Sequence, residues 1–249
     1  MLRKYSTHRT LGDNLRLGSL TAFSAGMLNV ASVIVFFAFT SNITGYYAVF
    51  AQEISKGNWY QGAVVLLWIS SFFIGSFLSN FLIINGKGRW SQYFAHAVPI
   101  MLEFLSVLYV GVYLDFFYQD SLQETEYLVA LLLFAMGLQN GLTASISNSV
   151  VKTTHLTGLT TDLAILVSLL SKKNNRQNKA MVDKFHLLLT IMVSYVLGGL
   201  VGGFGFVHIG NSTFYIICFI LILIACYDLY KIYYVKHWFS RRHKKLSTV

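Results

Sequence analysis

Two short polar motifs, one in each half of the sequence, carry side chains able to bind a solute. Hydroxyl and amide groups donate and accept hydrogen bonds, histidine titrates near neutral pH, and aspartate can hold a cation, a proton or a helix cap. A glycine that breaks a helix would expose backbone N–H groups at the start of the next one, and such groups attract anions. Ordinary turns capped by Thr and Asp would use the same residues. They are Thr40, Asn42, Thr44 and Gly45 in the first motif, and Thr153, Thr154, His155, Thr157, Gly158, Thr161 and Asp162 in the second.

Four further polar residues, Asn29, Glu103, Gln139 and Asn140, lie within long apolar runs. A polar group in hydrocarbon is costly without a partner, so each is a candidate for function. Glu103 would need a wet cavity or a partner if ionised, and would carry a proton if neutral. The amides suit either substrate contact or hydrogen bonds between helices. A purely structural hydrogen bond is the alternative for all four.

The composition indicates an integral membrane protein. Of 249 residues, 55% are hydrophobic and 12% are charged, about half the roughly 25% charge of a soluble domain. These values exclude a soluble enzyme, a disordered chain and a collagen-like fibre. Neither the two cysteines nor the seven histidines have the spacing of a metal site. No hydrolase, nucleotide or dinucleotide motif is present, so we predict neither an enzyme nor a cofactor; an intramembrane hydrolase would lack a visible nucleophile pair.

Six apolar runs are long enough to cross the hydrocarbon core as helices. With both termini in the cytoplasm, all but one of the 19 basic residues fall on the cytoplasmic side, as the positive-inside rule requires. The exception is Lys56. The net charge of +9 therefore reports orientation and gives little reason to expect a nucleic-acid partner. The predicted spans are Leu20–Phe39, Gln61–Ile84, Val98–Phe117, Tyr127–Val150, Phe185–Val207 and Phe214–Val235.

The two halves of the chain repeat one pattern. In each, a Gly-x-x-Asn helix is followed by a Thr-Gly motif, a short apolar stretch and two further helices, and small residues such as Gly75 and Gly198 predict close helix contacts. Because each repeat has three spans, the second must enter the membrane from the opposite face, which brings Asn29 towards Asn140. Inverted repeats are typical of secondary transporters and some channels.

The predicted fold is an all-α integral membrane protein of six transmembrane helices, arranged as two inverted three-helix repeats. A short half-helix follows each Thr-Gly motif, at Tyr46–Ile54 and Leu159–Leu170, and is either re-entrant or flat at the interface. We divide the chain into a basic cytoplasmic N-terminus (1–18), the first repeat (19–118), an acidic external loop (119–126), the second repeat (127–235) and a basic cytoplasmic tail (236–249). The tail either contacts anionic lipid or only obeys the positive-inside rule.

The second motif resembles the YoaK or DUF1275 (UPF0700-type) group of bacterial inner-membrane proteins. The resemblance covers residues 18–235 and rests above all on Gly137-Leu138-Gln139-Asn140 followed by the run from Lys152 to Leu163. It implies a multi-pass protein of the bacterial inner membrane. The chain departs from the family pattern at Asn29, where an acid is usual, and at Tyr46, where Asn is usual.

Function is predicted as a transporter or channel for a small polar or anionic solute, whose path lies between the two repeats. The alternative is a membrane protein that transports nothing and scaffolds or regulates a partner. The lipid bilayer is the expected surrounding, and assembly into a homo-oligomer is left open.

Overall fold

A computed structural model describes residues 9–86 and 92–227, and every regular element within these ranges is helical. Five helical segments are long and apolar enough to cross a membrane: Leu11–Phe36, Trp59–Gly86, Phe94–Phe116, Leu122–Ser147 and Lys179–Tyr227. The all-helical prediction is confirmed, and these segments indicate a multi-pass membrane protein.

The helices in chain order are α1 (Leu11–Phe36), α2 (Ile43–Ser55), α3 (Trp59–Gly86), α4 (Gln92–Phe116), α5 (Leu122–Ser147), α6 (Leu156–Leu170) and α7 (Lys179–Ile209). A 3₁₀ turn at Gly210–Ser212 follows α7, where Gly210 has a φ of 57°. Helix α8 then covers residues 213–227. Tyr215 donates a hydrogen bond to Asp115 at the end of α4, and Cys218 lies further back along α4 beside Phe104. Thus α8 runs antiparallel to α4.

Several helices extend beyond the apolar runs from which they were predicted. α1 begins at Leu11 instead of Leu20, α4 at Gln92 instead of Val98, and α7 at Lys179 instead of Phe185, because polar residues can continue a helix beyond the hydrocarbon core. α5 begins at Leu122, inside the segment predicted as the acidic loop. Residues 228–235 of the last predicted span, the basic tail, and Arg3, Lys4, Lys87 and Arg89 lie outside the described residues.

α1 and α5 are built alike. Each has 26 residues, and each begins with a capping box in which a hydroxyl side chain and an acid three residues later satisfy the free N–H groups. The pairs are Thr10 with Asp13 and Ser121 with Glu124. These two helices form the centre of the bundle, since a larger share of their residues is buried than in the other long helices.

Each central helix packs against the third helix of the other half through glycines. A Cβ added to Gly26 would strike the carbonyl of Tyr195 on α7, and one added to Gly137 would strike the carbonyl of Phe72 on α3. The glycines of α7 and α3 make the reciprocal contacts, Gly198 with Phe23 and Gly75 with Phe134. These contacts confirm the predicted small-residue faces. Gly18 lies against Ile191 and Met27 against Gly202, so α1 is parallel to α7. Trp68 bonds to Glu126 and Asn80 to Ser145, so α3 is parallel to α5.

The short helices turn back along the helices that follow them. Tyr46 of α2 contacts Trp68 of α3, while Ile54 lies against Gly62, so α2 is antiparallel to α3. Asp162 of α6 pairs with Lys184 of α7. The bundle therefore has a basic end, where α1 and α7 begin, and an acidic end, where α3 and α5 begin. The basic end includes Arg16, Lys172, Lys173, Arg176, Lys179 and Lys184; the acidic end includes Glu53, Asp115, Asp120, Glu124 and Glu126.

Candidate functional site

The loop after α1 folds back into the bundle, where Asn29 holds it. The Asn29 Oδ1 accepts hydrogen bonds from the Thr40 backbone N–H at 2.9 Å, the Thr40 hydroxyl at 3.3 Å and the Ser41 hydroxyl at 3.1 Å. Asn29 lies seven residues before the end of α1, which is about 10 Å along the helix. Ser41 also bonds to the Tyr195 hydroxyl at 3.0 Å. The loop is thus fixed well inside the helix layer.

The second half repeats this arrangement at Asn140. Its Oδ1 accepts hydrogen bonds from the hydroxyls of Thr154 at 2.9 Å and Thr153 at 3.4 Å, and its Nδ2 donates to the Met136 carbonyl at 2.9 Å. Asn140 also lies seven residues before its helix ends. Each asparagine therefore bonds to the loop of its own half, and the Asn29 and Asn140 side chains do not bond to each other.

The helix breaks precede the Thr-Gly motifs. α2 and α6 begin two residues before their glycines, which corrects the expectation that the glycines themselves interrupt the chain. Instead, each glycine makes room for the side chain at the helix start. A Cβ at Gly45 would lie 2.6 Å from Asn42 Nδ2, and one at Gly158 would strike the His155 ring. Asn42 caps α2 through the Gly45 N–H at 3.1 Å, whereas His155 makes no side-chain cap.

A cavity of about 370 Å³, here called the central cavity, lies between the two folded-back loops. Both short helices begin at it, so their N–H-rich ends border the same space. Lys152 and His155 line it, and no Asp or Glu does. Thr44 and Thr157 line it too, and their hydroxyls make no hydrogen bond to any described residue. Its surroundings therefore favour a polar or negatively charged occupant.

A second cavity of about 660 Å³, the basic-end cavity, shares Lys152 and His155 with the central cavity. It lies between the starts of α1 and α7 and the side of α6. Asp162 and Lys184 pair across it at 3.3 Å, and Asp183 lines it as well. The two cavities are therefore neighbours, and Lys152 and His155 line both of them.

The matching position in the first half is filled by an aromatic pair. Tyr46, which follows Gly45 as Leu159 follows Gly158, is buried and packs edge-on against Trp68 with ring centroids 5.1 Å apart. The Tyr46 hydroxyl donates to the Phe39 carbonyl, and Trp68 Nε1 donates to the Glu126 carbonyl at 3.0 Å. α2, α3 and α5 are thus joined at the acidic end.

Glu103 lies apart from both cavities. It is 1% exposed and accepts a hydrogen bond from Gln139 Nε2 at 3.0 Å, and the same nitrogen donates to the Ser24 hydroxyl at 2.8 Å. The sequence predicted Glu103, Gln139 and Asn29 as solute contacts, but their side chains line neither of the two cavities. They tie helices and loops together.

The predicted residues thus divide by position. Thr40 and Thr153 are buried loop anchors, and Thr161 is exposed on α6, where its hydroxyl bonds to the Thr157 carbonyl.

The sequence interpretation missed Lys152, which it counted only as an orientation charge, although it directly precedes the second motif. Among the described residues, no group of three or more His, Cys, Asp or Glu could hold a metal ion. The central cavity is lined by Asn42, Thr44, Gly141, Asn140, Thr154, His155 and Thr157, among others.

A bundle of long apolar helices, with two short helices that begin inside it, indicates a multi-pass helical membrane protein. Residues 17–227 match the model of a family described as a protein of unknown function, DUF1275, and the chain belongs to that family. Comparison with curated proteins and with solved structures gives no match.

Proposed function

We propose that this protein is a transporter or channel for a small polar or anionic solute in the bacterial inner membrane. The observation that carries the proposal is the central cavity, which both folded-back loops line and at which both short helices begin. Two helix N-termini, Lys152 and His155 favour negative charge there. The free hydroxyls of Thr44 and Thr157 would replace water around the solute.

We further propose that the architecture is a six-span inverted repeat with both termini in the cytoplasm. The turn at Gly210–Ser212 divides the last long segment into α7 and α8, which supports a count of six. α5 and α8 both run antiparallel to α4. Since α8 returns from the end of α7, and α7 is parallel to α1, α5 runs opposite to α1. The basic end would then be cytoplasmic.

The test is flux through purified protein in liposomes, measured for chloride, nitrate, formate and phosphate, with glycerol and urea as neutral solutes. Lys152→Met should lower anion flux about tenfold, which corresponds to about 1.4 kcal/mol at the barrier. Lys56→Met is the matched control, because Lys56 pairs with Glu53 at the acidic end and lines neither cavity. Equal anion flux in the two variants would reject the role of the central cavity.

The alternative function is a scaffold or regulator that transports nothing. It is favoured by the engagement of Asn29 and Gln139 in internal hydrogen bonds. Flux of every solute at the level of protein-free liposomes would support this alternative.

A further inference from the structure

Glu103 sits in a fully buried cluster in which two oxygen atoms are left without a hydrogen bond. Neither Glu103 Oε2 nor Gln139 Oε1 has a partner among the described residues, although Gln139 Nε2 donates one hydrogen to Glu103 Oε1 and the other to Ser24. The Ser24 hydroxyl donates its hydrogen bond to the Thr21 carbonyl. Both unpartnered atoms are acceptors and belong to the same bonded pair. An ionised carboxylate cannot satisfy either of them.

One proton satisfies both atoms. If Glu103 Oε2 is protonated, its O–H can donate to Gln139 Oε1, and the acid and the amide form a two-bond ring. Every polar atom of Glu103, Gln139 and Ser24 then has a partner. A buried polar group without a partner is destabilising, and a buried unpaired charge is more so.

Within the part of the chain that the structure describes, the groups that face Glu103 from the neighbouring helices are polar but uncharged or unpaired with it. α1 presents Ser24 and Thr21 to the cluster, α5 presents Gln139, and α8 presents the Cys218 thiol beside Phe104. On α4 itself, the buried His96 lies two turns before Glu103 and Tyr109 lies six residues after it. Among the described residues, no Lys or Arg forms an ion pair with Glu103.

We propose that Glu103 is a proton-binding site, which in this conformation holds a proton shared with Gln139. The pair joins α4 to α5 one residue before Asn140, which lines the central cavity and holds the second loop. Release of the proton removes the O–H donor and leaves a carboxylate oxygen facing the Gln139 oxygen, so that only the bond from Gln139 Nε2 still joins the pair. Resting on the proposed transport function, this site makes the proton the coupling ion.

Infrared spectroscopy of the full chain in lipid nanodiscs at pH 7 tests the site without any solute. An ordinary glutamate is ionised at that pH, so the carbonyl stretch of a protonated carboxyl, identified by its shift in D2O, is diagnostic. We expect this band in the wild type, its loss in Glu103→Gln, and its retention in Glu126→Gln, the matched buried acid. Gln139→Leu should move it towards the frequency of an unbonded carboxyl.

A wild type without the band, or a Glu103→Gln variant that keeps it in full, would overturn the proposal. The same band in liposomes that pass no solute would leave the proton site in place and reject only the transport function. If the flux assay detects transport of an anion, an imposed pH gradient should accelerate anion flux through the wild type and leave anion flux through Glu103→Gln unchanged. Acceleration of both to the same degree would reject the coupling.

Discussion

The two halves of this protein have the same helix packing but differ in the residues beside their short helices. α1 and α5 have the same length, the same type of cap and an asparagine at the same position. Gly26 of α1 and Gly137 of α5 also each lie against a backbone carbonyl, on α7 and on α3 respectively. Beside α6, however, the second half has a cavity with charged walls, whereas beside α2 the first half has Tyr46 packed on Trp68. The repeated contacts therefore define the scaffold, and the unmatched residues define where the bundle is open.

The largest effect is expected where the halves agree. Gly26→Val and Gly137→Val should each cost at least about 3 kcal/mol, because the new side chain meets the backbone of the facing helix, which cannot move away alone. Loss of monodisperse protein in size-exclusion chromatography, and a lower unfolding midpoint in detergent, would measure this.

Gly12→Ala is the control for the glycine variants, since its added Cβ meets no atom closer than 3.9 Å. A large loss for Gly26→Val with none for Gly137→Val would break the equivalence of the two helix pairs.

The next effect should differ between the halves. Asn29→Ala leaves the buried Thr40 N–H without an acceptor and should cost about 2–3 kcal/mol. Asn140→Ala frees two hydroxyls, which can rotate, and the Met136 carbonyl, which lies within α5, so it should cost about 1 kcal/mol. Unfolding midpoints of the two variants provide the comparison. Asn29→Asp retains the acceptor and should lose less than Asn29→Ala; equal losses for these two would show that the Oδ1 contacts do not hold the loop.

The sequence predicted the repeated helix packing better than it predicted the loop contacts and the residues that line the cavities. Gly-x-x-Asn and Thr-Gly repeat visibly, because a close helix contact admits little besides glycine and a buried loop needs an amide to satisfy it. The fold-back of Thr40 and Ser41 onto Asn29 was not visible, since a hydrogen bond across 11 residues leaves no periodic signal. The role of Lys152 was not visible either, because a single lysine gives the same sequence signal at a membrane surface as at a cavity.

Replacing Tyr46 in the Tyr46–Trp68 pair should make the first half accessible from the acidic end. Tyr46→Leu copies the residue at 159 and removes both the ring contact and the hydroxyl bond to Phe39. Together these contribute about 1–3 kcal/mol, so a cysteine at Thr44 should react about tenfold faster with an impermeant maleimide added at the acidic end. The background is Cys218→Ala with Cys226→Ser.

Tyr47→Leu is the matched control for this labelling, since the Tyr47 side chain is 61% exposed. If Tyr46→Leu and Tyr47→Leu label at the same rate from the acidic end, the aromatic pair does not close that end.

The smallest effect should come from the ion pair that joins α6 to α7 in the second half. Asp162 and Lys184 lie 3.3 Å apart, but their side chains are 49% and 54% exposed, and such pairs contribute about 0–1 kcal/mol. α6 is held instead by its buried leucines, Leu159, Leu163 and Leu166. Lys184→Met should therefore shift the unfolding midpoint no more than Lys179→Met, at low and at high salt alike. A clearly larger, salt-sensitive loss for Lys184→Met would mean that charge fixes the α6 half-helix, and the two halves would then differ in how they are held together as well as in what fills them.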